Sequence, residues 1–209
     1  MIVSIAAVAI AAALAIPLAL WLGHIGRGDF LATATSNVGR AVPSLALLAF
    51  FISFIGLGYT NVIFVLVLLA IPPLITNTYV GVRQVDRDTV DAARGQGMTG
   101  IELVRKIELP LALPSIFGGL RTSAVNVVAT ATIAPLANVQ TLGEPIITPQ
   151  TYGFVGQLGA AIVVAVITIA VDFAFARLQR AVTPAGLKIN EPARRRKFSL
   201  PTRRRLESQ

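Results

Sequence analysis

The sequence predicts an all-α integral membrane protein of about five transmembrane helices. Of its 209 residues, 55% are hydrophobic, and the mean hydropathy is +0.74. Only 13% are charged, about half the roughly 25% of a soluble domain. The apolar residues fall in long blocks, which suits spans of a bilayer better than one soluble core.

A hydrocarbon core of about 30 Å needs roughly 20 helical residues. Five segments come near that length: 2–22, 42–58, 61–82, 113–137 and 155–176. The first lacks the basic residues that precede the apolar run of a signal peptide, and Arg27 and Arg40 come after it. It reads as a retained span with its N-terminus outside. The second is short. Pro17 lies in the first span and Pro72-Pro73 in the third. Each removes a backbone donor, which suits either a packing kink or a hinge.

Charge gives the orientation, because Lys and Arg collect on the cytoplasmic side. Five spans with an outer N-terminus put 23–41, 83–112 and 177–209 inside, and these hold 17 of the 18 Lys/Arg. The remaining one, Arg121, lies early in the fourth span. The outer segments 59–60 and 138–154 have none. The net charge of +8 belongs mainly to residues 188–209, which contribute +6. Residues 1–187 therefore form the membrane domain and 188–209 a basic, disordered cytoplasmic tail. Its Arg194-Arg195-Arg196-Lys197 and Arg203-Arg204-Arg205 suit anionic lipids of the inner leaflet, or a protein contact. No fold or aromatic platform supports nucleic acid as a partner.

Several chemistries are excluded. Without cysteine there is no disulfide or thiolate site, and one histidine, His24, cannot make a zinc site alone. No phosphate-binding G-x-x-x-x-G-K-[ST], H-E-x-x-H or G-x-S-x-G occurs. The chain is expected to be no enzyme and to hold no cofactor or metal.

The polar stretch 83–112 carries the most information. Asp86 or Asp88 can cap a short helix running to about Arg94. Gly95-Gln96-Gly97 breaks it, Thr99-Gly100-Ile101-Glu102 fits a capping box that opens a second helix, and Pro110 ends that one. Within it, Asp91-Ala92-Ala93, three residues, Gly97, nine residues and Ile107-x-Leu109-Pro110 resemble the E-A-A-x3-G-x9-I-x-L-P motif of ABC importer permeases. Aspartate in place of glutamate is the one departure.

The resemblance implies a type I ABC importer permease fold. It implies that the loop forms a coupling helix seated in a groove of ABC ATPase subunits, through Asp91, Ala92, Ala93, Arg94, Gly97, Met98, Ile107, Leu109 and Pro110. Ala92 and Ala93 are small enough to let the helix seat closely, and Gly97 permits a backbone turn closed to other residues. An ordinary amphipathic interfacial helix explains the polarity but not the spacing. ATP and Mg would be bound by the partner. The other implied partners are a second permease copy or paralogue, an extracytoplasmic substrate-binding protein and the lipids of a bacterial inner membrane.

Val42-Pro43-Ser44, Asn77-Thr78-Tyr79, Gly119-Leu120-Arg121-Thr122, Thr130-Ala131-Thr132 and Thr183-Pro184 are similar to the osmoprotectant branch. That branch imports glycine betaine, choline, carnitine or proline. The run 135–141 departs from the glycine-rich pattern usual there. The alternatives are a permease for methionine or another amino acid, and a passive membrane anchor.

Two further constellations lie in the spans. Thr122, Asn126 and Thr130 make a polar stripe at helical spacing, suited to lining a translocation path or to helix packing. Arg121 and Asp172 fall at similar depth on antiparallel spans, which suits an intramembrane ion pair. Alternatively Arg121 snorkels to the headgroups and Asp172 pairs near the tail. Trp21, Tyr59, Tyr79 and Tyr152 are scattered in sequence, so no aromatic cage for a quaternary ammonium is evident. Substrate affinity is expected in the separate binding protein.

Overall fold

Small residues at every fourth position decide how the first helix packs. In α1 (Ile2–Ile25) the residues Ala7, Ala11, Ala15, Ala19 and Gly23 form a buried stripe. It lies against α4 (Tyr59–Arg83), which contributes Val62, Leu66, Ala70 and Leu74 to the same core. Apolar area gives helices little reason to associate in lipid, so close backbone approach must supply the attraction. The approach is close: a Cβ added to Gly23 would lie 2.8 Å from that of Val82. The structure, a computed structural model, describes residues 1–183, and the basic tail 188–209 lies outside the described residues.

The Gly23–Val82 approach also shows that α1 and α4 finish at the same end of the bundle. Residues 26–58 must therefore cross back over its full length. They do so in two pieces, α2 (Asp29–Ala41) and α3 (Ser44–Ile55). Helix α2 runs antiparallel to α4: the Thr76 hydroxyl donates to the Ala32 carbonyl at 3.2 Å, and Gly39 sits against Pro72. Pro43 then caps α3, whose Phe51 ring meets Phe64 of α4 edge-on at 4.9 Å.

This corrects the expected second span. Segment 42–58 holds only its second half, and 23–41 is not a simple loop. Its first half escaped because α2 is amphipathic and weakly apolar. Among the described residues, four helices are long and apolar enough to cross a membrane, and Ser44–Ile55 is a shorter apolar one.

The chain leaves α4 into α5 (Arg87–Gly95), α6 (Gly100–Leu103) and one wide π turn (Val104–Glu108). It then enters α7 (Leu109–Thr130). Pro110 does not end a helix, contrary to the sequence expectation. It occupies the first turn of α7, where an amide lacks a ladder partner anyway.

Helix α7 returns antiparallel to α4, with the Ser123 hydroxyl donating to the Ala70 carbonyl at 2.8 Å. Gly81 lies against Ser115 one end along. A 3-10 segment (Ala131–Ala137) finishes this crossing, and the Ala137 carbonyl accepts from the Gly58 amide at 2.7 Å. After α8 (Glu144–Ile147), α9 (Pro149–Val182) kinks at Gly153 and runs antiparallel to α7. Gln179 fastens it by donating to the Pro114 carbonyl at 2.8 Å. The loop 84–108 and the C-terminal end of α9 thus share one end of the bundle.

Candidate functional site

The loop between α4 and α7 is built from local rules. The Asp86 carboxylate caps α5, accepting from the Thr89 amide at 3.0 Å and its hydroxyl at 2.9 Å. These bonds hold its pKa below the ordinary carboxylate value. At the other end the Gly97 amide donates to the Arg94 carbonyl at 2.9 Å and the Met98 amide to that of Ala93 at 3.3 Å. This is the paired Schellman closure, which requires a left-handed residue at the position after the cap. Gly97 supplies it, with φ of 87°.

The capping box of α6 also forms. Glu102 accepts from the Thr99 amide at 3.0 Å and Thr99 from the Glu102 amide at 3.4 Å. The Thr99 amide and then Lys106 hold the Glu102 pKa down at about 2.

The loop has a small core of its own: Val85, Val90, Ala93 and Leu103, with Met98, Ile107 and Leu111 packed on it. Ala93, Met98 and Ile107 therefore hold the loop together. Leu109 joins it to the bundle by packing on Val82, Ala112 and Ile116, and Pro110 is half-buried beside it. Asp91, Ala92, Arg94 and Gly97 are exposed. Of the two alanines expected to seat the helix, Ala92 faces outward and Ala93 is buried in this small core. Asp91 and Arg94 lie 4.0 Å apart and are mostly solvated, so their pairing adds little.

One interaction escaped sequence reading. Glu108, between Ile107 and Leu109, is 3% exposed, and its carboxylate lies 2.8 Å from Nδ1 of His24. The contact ties the end of α1 to the exit of the loop across 84 residues. The only available signal was an acid between two apolar motif residues.

The second constellation is polar and lies within the spans. Thr122 and Asn126 are exposed on α7. They border a cleft of about 180 Å³ whose other walls include Ser36 and Gly39 of α2 and Thr76 and Asn77 of α4. Thr130 is half-buried and does not border it. The polar group of α7 used in packing is Ser123, one position off the stripe.

Thr122, Asn126 and Asn77 also border a second cleft of about 440 Å³, which reaches Arg121, Asp172 and Gln179. There the structure brings Arg121 and Asp172 together: Nε donates to Oδ1 and Nη2 to Oδ2, both at 2.6 Å. The fork is bidentate, yet each side chain keeps more than a third of its surface exposed.

The family described as Binding-protein-dependent transport system inner membrane component matches residues 15–185. The chain is 34% identical over 194 residues to the glycine betaine/carnitine/choline transport system permease protein OpuCB of Bacillus subtilis (strain 168), covering 89% of this chain and 86% of the relative. It is 35% identical, with the same coverage, to the choline transport system permease protein OpuBB of that organism. Among solved structures, inward-facing MetNI methionine ABC transporter crystals give a TM-score of 0.72 at 21% identity, over 87% of this chain and 92% of that one. That likeness concerns the fold, which is the type I importer permease fold.

Proposed function

This chain belongs to the family of binding-protein-dependent transport inner membrane components, and on that premise we propose that it passes osmoprotectants such as glycine betaine, choline, carnitine or proline through the bacterial inner membrane. As an ABC importer permease it is a multi-pass, non-catalytic subunit that works with a separate ATPase and a substrate-binding protein. The substrate class rests on similarity over most of the chain to choline, carnitine and glycine betaine permeases. Methionine, the cargo named for the solved neighbour, is the weaker reading, because that likeness concerns the fold alone.

The observation that carries the mechanism is the loop 84–108. Its short helix is capped at both ends and cored on one face, leaving Asp91, Ala92 and Arg94 outward. A rigid knob of this kind transmits displacement without doing chemistry. ATP and Mg, bound by the partner, would draw two such loops together, one from this chain and one from a second copy or paralogue. The bundles would then rock about a central path.

Basic residues favour a cytoplasmic loop end. Arg83, Arg87, Arg94, Arg105, Lys106, Arg177 and Arg180 all lie at or near that end. The tail 188–209 would follow on the same side, near anionic lipids.

The test is whole-cell uptake with capture of the ATPase subunit. Ala92→Asp and Gly97→Asp each place a new charge and added bulk on the exposed surface of the loop. Both should abolish uptake of glycine betaine while membrane levels stay normal. Full uptake by both variants at normal levels would refute the coupling role. Competition by methionine but not glycine betaine would refute the substrate class.

A further inference from the structure

We infer that the cleft holding Arg121 and Asp172 is a transient binding site for a small zwitterion, whose carboxylate takes the guanidinium and whose cationic end takes the aspartate. The inference deepens the proposed osmoprotectant reading and rests on it.

The pair has two features that a mere fastening of α7 to α9 does not need. It is bidentate at 2.6 Å, yet both partners stay more than a third exposed. It also opens on a cleft of about 440 Å³ that Asn77, Thr122, Asn126 and Gln179 share, a volume in the range of small-molecule sites. Charged groups at membrane depth mark substrate paths by default, because exposing them to lipid is costly. The face bearing them also carries the amide and hydroxyl groups of the stripe, so it faces water or a partner rather than acyl chains.

The wall can give way. None of the described residues of α9 is buried. Besides the ion pair, the side-chain hydrogen bond that joins α9 to α7 is Gln179 to Pro114.

Charge balance selects the ligand. Opening the pair leaves one cation and one anion unpaired at membrane depth, where a charge without a partner is costly. A zwitterion supplies one partner for each, so the exchange conserves ion pairs. A cation lacking a carboxylate satisfies Asp172 and strands Arg121, while an anion does the reverse. Glycine betaine, carnitine and proline carry both charges and choline carries one, so choline crosses this point at a disadvantage.

The experiment uses the assembled complex, with its ATPase and binding protein, in proteoliposomes at matched protein levels. Uptake of glycine betaine and choline is measured below saturation. Arg121→Gln removes the carboxylate partner and the stranded cation together. The ratio of betaine to choline uptake should therefore fall at least tenfold. A fastening role lowers both substrates alike, so an unchanged ratio overturns the inference.

The double exchange Arg121→Asp with Asp172→Arg keeps the fastening but inverts the poles. A zwitterion still finds one partner for each of its charges, so the ratio of betaine to choline uptake should stay within twofold of wild type, and a tenfold fall in that ratio overturns the inference. A wild-type complex that imports neither compound instead refutes the osmoprotectant reading, a result separable from the other two.

Discussion

At the scale of single residues, Gly97 is a position in the loop where the backbone narrows the choice of residue. Its φ of 87° lies in the left-handed region, where a Cβ costs about 1–2 kcal/mol. Nothing lies within 4 Å of a Cβ built there, so the cost is conformational, not steric. Gly97→Ala should lower loop stability by about 1 kcal/mol, while Gly97→Asn, which tolerates that region, should cost less. Protease nicking between α5 and α6 in detergent would rank the three proteins. Equal nicking of glycine and alanine forms would refute the strained turn. The turn itself was legible in Gly95-Gln96-Gly97, and the capping box in Thr99 to Glu102. The sign of φ was not, because glycine permits both signs. Nor could the His24–Glu108 contact be read, since no local rule links positions 84 apart.

At the scale of elements, the α1 stripe makes a sharp prediction. Ala11 is fully enclosed, so Ala11→Leu must part α1 from α4, and overpacking of this kind costs about 1–3 kcal/mol. Leu14, 59% exposed on the opposite face, should accept alanine with no measurable loss. Thermal unfolding in detergent, followed by tryptophan fluorescence from Trp21, would compare them. An unchanged midpoint for Ala11→Leu would show that the helices do not pack through this stripe. Apolar blocks revealed α1, α4, α7 and α9, whose lengths exceed what a span needs. They did not reveal α2, because residues 29–41 are amphipathic, with Ser36 and Gly39 bordering a cleft, and so lack the hydropathy by which spans are recognised. Pro110 misled for a related reason. Sequence rules make proline a stop, whereas the first turn of a helix accommodates it.

At the scale of the whole molecule, the crossings alternate in direction, so Met1 and the loop 84–108 lie at opposite ends. With no native cysteine, single cysteines at positions 2 and 96 report topology directly. Position 2 should react with an impermeant thiol reagent from outside, and position 96 only after the membrane is opened. Labelling of position 96 in intact cells would invert the assigned orientation. The five passes along the bundle correspond to the five apolar segments of the sequence, although segment 42–58 covers only half of its pass. The parallel pairing of α1 with α4 bears on how the chain is made. Everything it needs lies before residue 84, so this half can assemble while the rest is still at the ribosome. Helix α7 then closes over α4 through Ser123 and Ala70. Helix α9 emerges last and meets a finished surface, with Asp172 arriving at an arginine already in place, so the order of synthesis leaves the outermost wall as the final piece to be set.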